Sequence, residues 1–264
     1  MIMMKTRHHK LISFALIITS YLTSNSCLNQ SDKVSSEVSD SSAKENEIQN
    51  QKIISAPTAD ERKNAAKLRQ SALQYRQQGN YTKAIESLEK SVNLDRENMS
   101  SLVLLGWTLH LAQKPQPAQE ILEQALTIDS QHIQTLNALG IVYLVGGNLE
   151  QAIATHTQAV TISPNNKIAH YNLNLAYQRL QQYTKAINHG KQAITLEPYN
   201  PHPWVALAIT YWEMGEPQKS QENYRKAINL DGRYRQVSFL SHLKEAGFSG
   251  KQIKQTQEVL EATF

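Results

Sequence analysis

Nine histidines and one cysteine are the side chains of this 264-residue sequence best suited to metal ligation or nucleophilic chemistry. A helical metal site needs two histidines three or four residues apart, as in His-Glu-x-x-His, so that both imidazoles leave one face. None of His110, His132, His156, His170, His189, His202 and His242 has such a neighbour. His156 and His189 could meet only across adjacent structural units, where packing is the expected role. Cys27 stands alone, which excludes an intramolecular disulfide and a cysteine-based zinc site within one chain. The glycines do not form a phosphate-binding loop, no nucleophile elbow is present, and the carboxylates are scattered. The expectation is therefore a protein that is not an enzyme, with no catalytic residues, no metal, no cofactor and no small-molecule substrate.

Composition narrows the classes further. Only 40% of residues are hydrophobic and mean hydropathy is −0.49, which excludes a polytopic membrane protein. The formal charge is +4, but Lys5, Arg7 and Lys10 lie at the extreme N-terminus and the remainder is close to neutral. That balance gives no electrostatic case for nucleic-acid binding.

Those three cations precede the apolar run Leu11–Ile18, and small polar residues Thr23–Ser26 follow. This is the order of a secretory signal, over residues 1–27. The apolar run falls short of the roughly 20 residues that span a bilayer comfortably. An uncleaved anchor reaching Leu22 is the alternative. Cys27, placed just after the apolar run, resembles the acylated cysteine of the lipobox in bacterial lipoproteins. Ser26 fits that pattern, whereas Ser24 stands where the family prefers Leu. The resemblance implies lipidation at Cys27 and membrane attachment through the N-terminus; ordinary cleavage after Ser26 would leave a secreted protein with a free thiol. Either way the expected location is exported, in the periplasm or at the outer face of a membrane. Residues 28–64 read as a disordered tether running into the first helix. The stretch to Pro57 is rich in Ser, Asn and Gln, has no aromatic residue, and cannot bury enough apolar surface to offset its ordering entropy. A flexible tether of this length spans about 5–6 Å × √n, roughly 30 Å.

From residue 65 the chain repeats with a period of 34, without gaps, over 65–98, 99–132, 133–166, 167–200 and 201–234. Position 8 reads Ala72, Gly106, Gly140, Asn174, Ala208; position 20 reads Ala84, Ala118, Ala152, Ala186, Ser220; position 27 reads Ser91, Ala125, Ala159, Ala193, Ala227. Large residues alternate with them: Leu105, Leu139, Leu173 and Leu207 at position 7, Tyr75, Leu109, Tyr143, Tyr177 and Tyr211 at position 11. Positions 7, 8 and 11 share one helical face, and 20, 24 and 27 share another. Small residues let two helices approach while Leu and Tyr fill the gaps. Gly79, Gly146-Gly147 and Gly215 mark the turns between paired helices, and Pro117 and Pro217 lie near the starts of second helices.

This pattern closely resembles the tetratricopeptide repeat family. Trp204 fills its position 4, and Pro164 and Pro198 its position 32; Asn174 and Gly190 depart from it and make repeat 4 the most atypical. The resemblance implies an all-α, right-handed α-solenoid of about five helix-turn-helix units. Residues 235–264 do not repeat. Val237, Leu240 and Leu243 predict one amphipathic helix ended by Gly247, and Ser249–Gln252 a capping box that opens another, with Ile253, Gln257, Leu260 and Glu261 giving it one apolar stripe and a polar back. Such a pair would cap the solenoid.

In this family the first helix of each unit lines a concave groove. Carried over by position, the groove comprises Arg69, Leu73 and Arg76; Val103, Trp107, His110 and Leu111; Asn137, Ile141 and Leu144; Tyr171, Asn172, Leu175 and Arg179; and Val205, Ile209 and Trp212. The Lys/Asn/Arg pattern that clamps a C-terminal carboxylate in chaperone-binding relatives is absent, and the lining is apolar and aromatic. The expected function is a protein–protein interaction scaffold that binds a partly apolar peptide or helix there, in assembly of an envelope complex. An assembly factor held by an uncleaved anchor, in the inner membrane or cytoplasm, and an accessory domain that recruits an enzyme such as a glycosyltransferase, are the other readings.

Overall fold

The computed structural model describes residues 56–264, and no strand occurs among them. The signal, Cys27 and most of the proposed tether lie outside the described residues. The described part forms five helical hairpins: α1 (Ala59–Gln77) with α2 (Tyr81–Leu94), α3 (Met99–Leu111) with α4 (Pro115–Ile128), α5 (Ile133–Gly146) with α6 (Leu149–Ile162), α7 (Lys167–Arg179) with α8 (Tyr183–Leu196), and α9 (Pro201–Glu213) with α10 (Pro217–Leu230). Each hairpin packs on the next, so the architecture is an α-solenoid.

The sequence period is visible in how each helix starts. Asn98, Asn166 and Asn200 recur 34 residues or a multiple apart, and each accepts a backbone N–H of the helix that follows it. Thr58 and Glu61 form a capping box that starts α1 ahead of residue 65. Pro201 and Pro217 open α9 and α10. In the second hairpin Pro115, not Pro117, takes the first helical position, where its missing N–H has no helical partner to lose.

The turn between paired helices needs a left-handed residue. Gly79, Gly147 and Gly215 supply it at φ 73°, 87° and 73°. The equivalent residues of repeats 2 and 4 are Gln113 and Gln181, at φ 59° and 58°. A side chain there costs about 1 kcal/mol relative to glycine. Gln113→Gly and Gln181→Gly are each expected to raise stability by about that amount, read as a higher denaturation midpoint with an unchanged m-value.

The small sites are where helices touch. A Cβ on Gly106 would fall 2.5 Å from Leu122, and one on Gly140 would fall 2.5 Å from the His156 ring. Repeat 4 reverses the sizes: Asn174 replaces the small residue at position 8, and Gly190 replaces the large one at position 24. Asn174 donates to the Ala186 carbonyl at 2.9 Å, while Leu207 packs into the space above Gly190. The departure of this repeat from the pattern is thus a volume exchange across one helix pair.

After α10 come two 3-10 turns, Gly232–Arg235 and Val237–Lys244, and then α11 (Gly250–Thr263). The expected amphipathic α-helix at Val237 is instead the longer 3-10 turn. The reason lies in the spacing: Val237, Leu240 and Leu243 are three apart, the repeat of a 3-10 helix. Leu240 and Leu243 are buried and Val237 is exposed. Gly247 ends the segment at φ 86°, and Ser249 with Gln252 forms the expected capping box. The face that α11 buries is Gln252, Gln255, Thr256, Val259, Leu260 and Thr263. Of the four residues expected from the sequence, Leu260 is buried, Ile253 and Gln257 are only half-buried, and Glu261 is exposed.

Candidate functional site: the concave groove

The orientation of the first helices is fixed by what touches them. Tyr171, at position 5 of repeat 4, donates its hydroxyl to the Ala246 carbonyl at 2.6 Å, and its ring lies 6.4 Å from that of Phe248. Leu175, at position 9, and Leu144, at position 12 of repeat 3, flank Gly247, each 3.7 Å from where its Cβ would be. Gln178, at position 12 of repeat 4, accepts from Gln252 Nε2 at 2.8 Å and donates to Gln255 Oε1 at 3.1 Å. Positions 5, 9 and 12 therefore face a common surface, and the C-terminal segment lies on it.

Over repeats 3–5 the groove is filled by the chain itself. Leu144, Leu175, Val205 and Ile209 are fully buried, and Tyr171 and Asn172 nearly so. Val205 and Ile209 belong to the same apolar cluster as Leu240, Leu243 and Phe248. Gln252 also donates to the Leu175 carbonyl in the last turns of α7, at 3.2 Å. Gln255 bonds Glu213, and Lys251 lies 3.5 Å from the same carboxylate, beside half-buried Trp212. From there α11 crosses to α10, where Gln221 and Arg225 donate to the carbonyls of Ala262 and Thr263. Six of the residues carried over to the groove are thus closed to an external ligand in this conformation: Leu144, Tyr171, Asn172, Leu175, Val205 and Ile209. The expectation of one apolar trough along all five units is corrected accordingly. The apolar lining is present, but a segment with its own Phe and Gln side chains covers its second half.

A cluster of rings holds this segment down. His202 at the start of α9 lies 5.7 Å from His242, 6.5 Å from Tyr234 and 6.4 Å from Tyr171, measured between ring centres. Its Nδ1 is buried without a partner, and burial beside His242 pushes its pKa down to about 4. His242 stacks on Phe239 at 3.8 Å and meets the Tyr234 hydroxyl at 3.1 Å.

Over repeats 1–3 the groove is open. Leu73 is 45% exposed and Val145 49%, with half-buried Trp107 and Ile141 between them. Trp107 stacks on His110, ring centres 5.1 Å apart, and burial lowers the His110 pKa. Leu111 is half-buried, Val103 fully so, and Asn137 is held by the Asn166 amide at 2.9 Å. Arg69 donates to Ser101 Oγ at 3.0 Å, and Arg179 to the Leu144 carbonyl at 2.6 Å. Arg76 has its Nε buried without a partner.

The sequence reading did not place Gln178, Gln252, Gln255 or Val145 in the groove, and gave Gln252 a capping role alone. Gln178 and Val145 occupy groove positions of the repeat and could have been found by register. Gln252 and Gln255 carry no such signal, because glutamines on a terminal helix read as a solvated face. His156 and His189 do not meet. His189 Nδ1 pairs with His170 Nδ1 at 2.9 Å and its ring stacks on Tyr177, while His156 is buried in its own hairpin. Among the described residues no group of three metal-ligating side chains comes together, and no helix is long and apolar enough to cross a membrane.

No curated protein matches the chain. Solved structures do. A protein described as MamA 41-end from Desulfovibrio magneticus RS-1 is 20% identical, covers 64% of this chain and 95% of its own, and superposes with a TM-score of 0.58. A protein described as a thermophilic TPR protein in Thermus thermophilus is 22% identical over 69% of this chain and 98% of its own, with a TM-score of 0.56. A further MamA structure, MSR-1 C2, gives 22% identity over 64% and 97%, with a TM-score of 0.54. At this identity the likeness establishes the fold. The family described as "Psidin, N-terminal TPR repeats region" matches residues 73–227, more than half of the sequence. With five hairpins of period 34 and this match in hand, the chain belongs to the tetratricopeptide-repeat family.

Proposed function

We propose that this protein is a non-catalytic scaffold, exported and tethered to a membrane at its N-terminus, that binds a partly apolar segment of a partner protein in its concave groove during assembly of an envelope complex. The observation that carries the reading is the division of the groove. Its second half already holds a polypeptide segment, this chain's own, through an aromatic contact, a tyrosine hydroxyl and a glutamine network. Its first half has the same geometry and leaves Leu73, Trp107, Ile141 and Val145 accessible. An apolar strip with an aromatic anchor is the kind of surface that docks protein segments.

The binding role is tested with a photo-crosslinking amino acid at Leu73, in cells. It is expected to trap a partner that the same probe at Tyr199, 86% exposed but outside the groove, does not. Adding Trp107→Ala is expected to weaken binding by about 2 kcal/mol, roughly thirtyfold in Kd. Equal trapping from both positions, indifferent to Trp107→Ala, would remove the groove from the reading. The tether is tested by labelling with radioactive palmitate, which Cys27→Ser should abolish; two acyl chains contribute about 0.8 kcal/mol per buried CH₂ and anchor stably.

A further inference from the structure

We propose that the open groove over repeats 1–3 selects partner segments that carry a carboxylate beside large apolar side chains, and that Arg76 receives the carboxylate. The inference rests on the groove reading above and adds the chemistry of what is bound.

The register supplies the placement. Positions 5, 9 and 12 face the groove in repeats 3 and 4, because Tyr171, Leu175, Leu144 and Gln178 there touch the C-terminal segment. The equivalent residues of repeats 1 and 2 are Arg69, Leu73 and Arg76, then Val103, Trp107 and His110. Two cations thus sit among apolar neighbours. Adding positions 2, 6 and 13 of repeats 1–3 brings in no aspartate or glutamate. Asp95 lies within electrostatic reach of Arg69, which leaves Arg76 as the cation without a carboxylate beside it.

The two arginines differ. Arg69 is engaged with Ser101 Oγ. Arg76 has no hydrogen-bond or ion-pair partner among the described residues, and its Nε is buried. Burial also lowers its pKa; the neighbour that offsets this in part is the Tyr81 phenol, not a carboxylate. In the filled half, by contrast, Arg179 donates to the Leu144 carbonyl. A guanidinium partly withdrawn from water and left without an acceptor gains most from an incoming anion, since the desolvation is already in place. Trp107, stacked on His110 one repeat along, offers the adjoining apolar seat. A bound segment would therefore place an Asp or Glu at Arg76 and an aliphatic or aromatic side chain against Leu73 and Trp107.

The test uses the full chain carrying Cys27→Ser and a displayed library of random peptides. Selected peptides are expected to be enriched in Asp or Glu next to Leu, Ile, Phe or Trp. A charge-assisted hydrogen bond of about 1.5–3 kcal/mol predicts that Arg76→Gln weakens a selected peptide roughly tenfold or more. Arg76→Lys should restore part of that loss, and Arg76→Glu should shift selection toward basic peptides. Peptides that need Trp107 but are indifferent to Arg76→Gln would leave the groove reading standing and overturn the carboxylate. Peptides that need neither residue would overturn both. Binding seen only after removal of residues 28–55, or self-association lost on Trp107→Ala with no peptide selected, would assign the face to this chain's own N-terminal segment or to a second copy, and would overturn the proposal.

Discussion

His156→Leu is expected to make the protein more stable at neutral pH by about 1–3 kcal/mol, measured by denaturant titration. His156 is fully buried, neither ring nitrogen makes a hydrogen bond of ordinary geometry, and the Gly140 backbone beside the ring offsets its burial only in part. It occupies position 24, where repeats 1 and 2 carry the fully buried Leu88 and Leu122. Leu122 presses on Gly106 as the imidazole presses on Gly140. The socket is therefore already shaped for leucine, and the substitution removes two buried polar atoms that cost free energy unpaired. A variant less stable than the parent would mean that the ring makes a favourable interaction which the packing does not reveal.

The same residue sets an acid dependence, and its sign is definite. Burial pushes the His156 pKa down to about 3 in the fold, whereas an unfolded histidine titrates near 6.5. The unfolded chain thus binds a proton that the folded chain refuses, and stability falls as pH drops from about 6.5 toward 3. Between pH 7 and pH 4 this one group should remove about 3 kcal/mol, at about 1.36 kcal/mol per pH unit. His189, pushed to about 4 by burial and by His170, and His202, pushed to about 4 by burial and by His242, act in the same direction over pH 6.5 to 4. His156→Leu should flatten the acid limb of the stability profile as well as raise the plateau.

The second large effect concerns the segment in the groove. Phe248→Ala truncates a side chain that is 3% exposed and packed against Tyr171. Removing a buried phenylalanine costs about 3–5 kcal/mol. Because each unit of a solenoid contacts mainly its neighbours, that cost should fall locally. The expected result is a protein whose repeats remain helical by circular dichroism, while residues 232–264 become sensitive to proteolysis and an apolar dye binds to the uncovered Leu144, Leu175 and Ile209. Cooperative loss of all helical signal at one lower midpoint would instead make the segment an integral part of one folding unit.

The repeat, the paired helices and the turns between them were legible in the sequence because they are local: Gly79, Gly147 and Gly215 end helices by a left-handed turn that needs no distant partner. The Asn98, Asn166 and Asn200 caps are as local, each within three residues of the N–H it binds, but the sequence reading did not include them. The oddity of repeat 4 was legible too, though its cause, the volume exchange between Asn174 and Gly190, emerges only when the two helices are placed side by side. The positions facing the groove followed from the family register. The closure of the groove was not legible. Gln178 and Gln252 are 74 residues apart, and Tyr171 and Ala246 are 75 apart. Polar residues on a terminal helix ordinarily face water; here Gln252 and Gln255 face inward because the Leu175 carbonyl and the Gln178 amide offer them partners. The spacing of Val237, Leu240 and Leu243 carried a signal for a 3-10 turn, but apolar residues three apart also fit one face of an α-helix.

The chain's own C-terminal segment lies along repeats 3–5 and leaves the groove of repeats 1–3 uncovered. Crosslinking between two engineered cysteines tests it most directly. With Cys27→Ser to remove the native thiol, Gln178→Cys and Gln252→Cys place thiols on the two residues whose parent side chains hydrogen-bond at 2.8 Å. Both side chains are shortened, so the gap between the thiols exceeds what a direct disulfide closes and suits a short bismaleimide. The reagent should link the pair within one molecule in high yield, detected by mass spectrometry of the linked peptides. A peptide selected for the open half should still bind the linked protein. Thiols that are each modified singly, or that link only between molecules, would contradict the account.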